Sequence, residues 1–180
     1  SNIDELGYHV YTVAGGPAPR YTYTIGLSET LGTELVVAGA AFFSNDDVLE
    51  ILVAARDLLR RASGSYPANL VCRLGAFKLS EVADWWTRSL LLGAVDFYPK
   101  TPVKSLQCLP TGPHATDDTP DLTRPKSDPS NCMWTWHHEE WHFPIPPHST
   151  AIVNLGALRG SPITEAARWT ESEWEKFSVQ

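Results

Sequence analysis

The stretch Arg20–Leu27, "RYTYTIGL", constrains the fold more than any other part of the chain. Tyr21, Tyr23 and Ile25 alternate with Thr22, Thr24 and Gly26, and a period of two marks a strand with one buried face. Similar runs flank it: "YHVYTV" (Tyr8–Val13) before the turn formers "AGGPAP", and "ELVVAG" (Glu34–Gly39) after. A hairpin through Gly15, Gly16 and Pro17 joins the first two. The first third of the chain is therefore a set of strands.

Helical signals follow. Ser44 is a natural N-cap, with Asp46 and Asp47 in the first turn to complement the helix dipole. Val48, Leu52, Ala55 and Leu59 recur at helical spacing, and Arg60 and Arg61 close the run before Ser63-Gly64. Short strands near Leu70–Leu74 and Ala76–Leu79 precede a second helix, Glu81–Leu92, ending at Gly93. "VKSLQCL" (Val103–Leu109) alternates again, and "TAIVNL" (Thr150–Leu155) reads as a late strand. Pro110–Pro129 is rich in Pro, Thr, Asp and Gly and reads as a long surface loop. In the polar tail, Thr170 and Glu173 form a capping-box pattern. With 180 residues, 43% of them hydrophobic, the chain is long enough for one core and short for two. The expectation is a single α+β domain spanning residues 1–180, a mostly antiparallel sheet packed by two main helices.

The formal net charge is -7 and no block of Lys or Arg forms a stripe, so nucleic acid and anionic membranes are excluded as expected partners. No basic start followed by an apolar core marks a secretory signal, and the longest apolar run, Leu35–Phe43, is less than half a membrane span. The start, Ser1-Asn2, lacks Met and leaves a preceding segment open. Cys72, Cys108 and Cys132 lie far apart without a C-x-x-C, which fits a reducing cytoplasm.

The block from Gly7 to Gly39 resembles the bacterial domain-of-unknown-function family 4262. The likeness rests on Y-T-I-G-L, here Tyr23–Leu27, followed by a Glu-led hydrophobic strand, here Glu34–Ala38. It extends more loosely through the Ser44 helix to "SLQCLP" (Ser105–Pro110), roughly the first 110 residues. Family members usually carry His-Pro before the Glu, where this chain has Gly32-Thr33. Their Trp-Pro-Asp turn is Leu109-Pro110-Thr111 here. The resemblance implies an α+β domain and transfers no catalytic residue.

The segment "WTWHHEEWHFPIPPH" (Trp134–His148) holds four of the chain's six histidines. Within it His138-Glu139-Glu140-Trp141-His142 reads H-E-x-x-H. On a helix, His138 and His142 would share a face and bind zinc, with Glu139 as general base and His148 or Glu165 as third ligand. On a strand the two histidines stand roughly 13 Å apart, too far for one ion. His138 and Glu140 would then share a face and supply part of a two-histidine, one-carboxylate iron site, completed by His9, His114 or His148. Asp128-Pro129 would start the helix, whereas the Trp, Thr and His content suits the strand equally. Cys132 is the only cysteine close in sequence to histidines that would activate a nucleophile.

A plainer reading makes these histidines part of an aromatic surface satisfied by hydrogen bonds. The expected pocket is then lined by Tyr21, Tyr23, Arg20, Trp134, Trp136 and Trp141. The leading functional expectation is a domain that binds a small molecule or a protein partner there. The alternative is an enzyme dependent on zinc or iron held by His138, His142, His148 and Glu140.

Overall fold

The structure, a computed structural model, describes residues 7–14, 19–62, 65–125, 128, 134, 150–159, 161, 163 and 165–177. In chain order the elements are β1 (His9–Val13), β2 (Tyr21–Ile25), the one-turn α1 (Ser28–Leu31), β3 (Glu34–Ala38), α2 (Asn45–Arg61), β4 (Asn69–Cys72) and β5 (Gly75–Glu81). There follow α3 (Asp84–Leu90), α4 (Leu92–Phe97), β6 (Ser105–Pro110), a 3-10 turn (Gly112–His114), β7 (Thr150–Val153), α5 (Leu155–Leu158), β8 (Glu165–Arg168) and β9 (Glu173–Phe177). The first six strands form one sheet in the order β1-β2-β3-β6-β5-β4. Every neighbouring pair is antiparallel except β3 and β6, where Glu34 lies beside Ser105 and Val36 beside Gln107. The fold is α+β and mostly antiparallel, as its alternating strands imply.

Two layers cover this sheet. On one face α2 buries Val48, Ile51, Leu52, Ala55 and Leu59 against Leu35, Val37, Phe77 and Leu106. Its start follows from local chemistry: the Ser44 side chain accepts from Asp47 N while the Asp47 carboxylate accepts from Ser44 N, a closed capping box. On the other face α3 and α4 bring Trp86, Leu90, Leu91 and Ala94 over Tyr21, Tyr23, Val36 and Ala38. All five residues of β2 and of β3 are consequently buried. Thr22 and Thr24, read from the alternation as a solvent face, are 2% and 0% exposed. A threonine methyl packs like an apolar group and its hydroxyl finds partners: Thr22 Oγ1 lies 3.0 Å from Thr12 Oγ1, and Thr24 Oγ1 donates to Glu34.

The second helix differs from the expected Glu81–Leu92. Val82 N and Ala83 N still serve the sheet side, donating to Ser105 O and Leu122 O, so coiling starts only at Asp84. It breaks at Leu91, where ψ turns to 46°, and resumes as α4 through Gly93 instead of ending there. A Cβ on Gly93 would sit 2.9 Å from the Tyr23 hydroxyl and 3.0 Å from Ile25 Cδ1. This glycine permits close approach rather than termination.

Within the expected loop Pro110–Pro129, the described residues 110–125 depart from a plain surface loop. Thr116, Asp118, Pro120 and Leu122 are buried. Gln107 grips the segment with both ends of its amide, Nε2 donating to Pro120 O at 2.7 Å and Oε1 accepting from Leu122 N at 3.0 Å. The segment's own polar side chains serve backbone groups in turn, Thr119 Oγ1 accepting from Ala40 N at 3.0 Å and the Asp118 carboxylate from Ala41 N at 3.1 Å.

The tail forms a second sheet, β7-β9-β8, with β7 parallel and β8 antiparallel to β9. Thr170 and Glu173, spaced like a helix capping box, lie instead in the β8–β9 connection and at the first position of β9, where Thr170 Oγ1 donates to Glu173 Oε2 at 3.3 Å. The Arg159 guanidinium lies 4.9 Å above the Phe42 ring, a contact between the tail and the loop ahead of α2. Among the described residues no helix is long and apolar enough to cross a membrane.

Candidate functional site

Three of the expected pocket residues meet on the α3–α4 face. The Tyr21 and Tyr23 rings stack at 6.3 Å, Tyr21 meets Trp134 at 6.2 Å, and Trp134 stands edge-on to Trp86 at 6.3 Å. Trp134 Nε1 donates to Asp118 O at 2.8 Å. Exposures of 8%, 2% and 1% for Tyr21, Tyr23 and Trp134 make this cluster part of the core. Burial, and then the neighbouring phenols, raise the Tyr21 pKa above its ordinary value; burial likewise raises Tyr23.

Arg20 is committed elsewhere. Its guanidinium donates to Asn45 Oδ1, Phe43 O and Ala40 O, fastening β2 to the approach of α2. Trp136, Trp141, His138, Glu139, Glu140, His142, His148 and Cys132 lie outside the described residues. Glu165 stands on a strand, β8, and not on the helix that a zinc-peptidase arrangement would require. His9 is on β1 opposite Ile25. His114 is packed between Phe42 and Phe43, at centroid distances of 4.7 and 5.7 Å. Among the described residues no three His, Cys, Asp or Glu side chains converge as a metal would need. Burial, then Cys72, push the Cys108 thiol up to about 12, which makes it inert as a nucleophile.

Two features went unread in the sequence. The first is Glu34, fully buried at the head of β3. Its Oε1 accepts from Gly26 N, Ser28 N and Ser28 Oγ at 3.1, 2.9 and 2.8 Å. Its Oε2 accepts from Thr24 Oγ1 and Leu27 N at 2.6 and 3.3 Å. The chain from Thr24 to Ser28 thus wraps a carboxylate, which substitutes for the cation a buried acid usually requires. Tyr98 lies beside it, its hydroxyl buried without a well-formed hydrogen bond. Burial, then the Glu34 and Glu29 charges, push that phenol up to about 12. A charged residue opening an otherwise apolar strand was the available signal, since Glu is almost never fully buried without partners.

The second is a cleft of about 560 Å³ between α3, α4 and residues 98–103. Val95, Pro102 and Val103 supply apolar wall; Thr87, Asp96 and Lys100 supply polar groups. The aromatic cluster holds its two helices in place: Gly93 N donates to the Tyr23 hydroxyl at 3.1 Å, and Trp86 abuts Trp134. Thr87 is tied at 2.7 Å to Ser105 of β6. A groove of about 650 Å³ at the end of α2 is larger. Among the described residues its lining carries one charged side chain, Arg60, and its Tyr66 hydroxyl already donates to Leu31 O, so these offer fewer uncommitted groups.

These features define an α+β domain: a mixed six-stranded sheet, layered by helices on both faces, with a carboxylate-centred turn and a cleft on the α3–α4 side. The chain belongs to the family described as a domain of unknown function, DUF4262, whose model matches residues 2–114. The match runs from β1 to the 3-10 turn. It includes Glu34, Tyr98 and the whole cleft, and it stops short of Trp134 and the histidine segment. No curated protein matches the chain, and no solved structure does.

Proposed function

We propose that this chain is a cytoplasmic small-molecule-binding domain whose ligand enters the cleft between α3, α4 and residues 98–103. The observation that carries the reading is the composition of that cleft at a volume of about 560 Å³. Ligand sites span roughly 300–1,000 Å³ and combine apolar walls with a few polar groups. Tyr21, Tyr23 and Trp134, expected to line a pocket, serve here as its support, packed between the two helices and the sheet. Exposed Trp85, Leu92 and Phe97 on these helices, at 40%, 57% and 44%, favour a protein partner as the second reading.

The test is an amide-resolved NMR screen of the protein against mixtures of neutral, anionic, cationic and zwitterionic small metabolites. The reading expects shifts confined to residues 84–103, unchanged by a chelator. A screen in which no compound moves those residues overturns it. So does binding that is lost on chelation and on replacing His138 and His142 by alanine, which returns the metal-dependent alternative.

A further inference from the structure

Resting on that reading, we infer that the cleft recognises a zwitterion of the free amino acid class, its anionic end at Lys100 and its ammonium at Asp96. The cleft carries balanced charge. Asp84, Asp96, Arg88 and Lys100 line it, two of each sign. Arg88 and Asp84 are one turn apart on α3 and already pair at 2.9 Å, so they neutralise each other. Asp96 and Lys100 form no ion pair among the described residues. A singly charged ligand would match one of them and press a like charge toward the other. A neutral ligand would shield both from water without replacing their hydration. A molecule carrying both charges satisfies both, and like-charge mismatch excludes its competitors.

The rest of the lining suits the remaining parts of such a molecule. Val95, Pro102 and Val103 give an apolar wall for a side chain. Thr87 lines the cleft and is 2% exposed; among the described residues its hydroxyl pairs with that of Ser105, itself 1% exposed. With Ser105 as the donor of that pair, the Thr87 hydroxyl keeps its own hydrogen for a carboxylate oxygen of the ligand.

The test titrates the full chain with the common L-amino acids, following amide shifts, and then with the N-acetyl and carboxamide derivatives of the best binder. The inference expects each blocked form to bind about tenfold more weakly or worse, the loss of one charge-assisted contact. Lys100→Met should weaken the free amino acid by a similar factor and leave the carboxamide unchanged. Asp96→Asn should do so and leave the N-acetyl form unchanged. Both residues are exposed, so neither variant threatens the fold, and circular dichroism checks this. Equal binding of free and blocked forms at residues 84–103 overturns the zwitterion inference and leaves the small-molecule reading standing. So does tighter binding there by a neutral or singly charged metabolite. Absence of shifts at those residues with every compound overturns both.

Discussion

Replacing Glu34 by Gln tests the carboxylate-centred turn with almost no change of shape. Five donors converge on the two oxygens. If the glutamine carbonyl takes the place of Oε1, the contacts from Gly26 N, Ser28 N and Ser28 Oγ survive. The new NH2 then faces Leu27 N, a donor against a donor. It also faces Thr24 Oγ1, which already accepts from Leu35 N at 2.9 Å and would lose the acceptor for its own hydrogen. Two buried contacts therefore fail, at about 1–3 kcal/mol each. The expected destabilisation is about 3 kcal/mol, a large share of the roughly 5–15 kcal/mol that holds a domain folded. Flipping the amide is worse, because three donors then meet the NH2. In urea, with a slope of about 2 kcal/mol per molar, the midpoint should fall by about 1.5 M. Circular dichroism and tryptophan fluorescence should report the same transition. Ser44→Ala, which removes an exposed cap, should cost about 1 kcal/mol and calibrates the scale. A Glu34→Gln variant within 1 kcal/mol of the parent would refute the view that this carboxylate organises the turn.

Three further outcomes follow from the same geometry. Gly93→Ala drives a methyl against the Tyr23 hydroxyl and Ile25 and should cost about 1–3 kcal/mol, read by the same melts; a neutral result would mean that α4 shifts freely on the sheet. Tyr98 is raised to about 12 from an ordinary 10, so the folded state holds its proton more tightly than the unfolded state does. Its contribution is full below pH 10 and is lost as pH rises through about 12; Tyr98→Phe should remove the latest-ionising phenol from an absorbance titration and flatten that loss. Treatment with a chelator should leave binding at residues 84–103 unchanged, measured by the same amide shifts; a loss would move attention to His138 and His142.

What was legible in the sequence was local. The Ser44–Asp47 box needs only residues three apart, and the extended chain of Tyr21–Ile25 needs only its own β-formers, so both the cap and the strand are present in the structure. What could not be read depended on partners far along the chain. Thr22 and Thr24 carry no mark that a second layer will cover them, because threonine suits water and core alike. The break at Leu91 exists because α4 must settle on Tyr23, about seventy residues earlier in the chain. Thr170 and Glu173 have the spacing of a cap, yet the same side chains bond equally well across a tight strand connection.

The site follows the same division. The histidines of Trp134–His148 drew attention because a motif is visible as text. The cleft is assembled from residues 84–103, nearly contiguous, but no period or spacing marks Thr87, Asp96 and Lys100 as lining one space. Only the folding back of residues 98–103 beside α3 makes them neighbours. The family match adds weight on the same side, since it covers the cleft and Glu34 and ends before Trp134. If the shared fold carries a shared activity, residues inside the match must perform it. The histidine segment would then modify that activity or add to it. A truncation ending near residue 125 is a poor way to ask, because Trp134 fills the Tyr21 side of the core. Substituting His138 and His142 in the full chain keeps that tryptophan in place and separates the two regions cleanly.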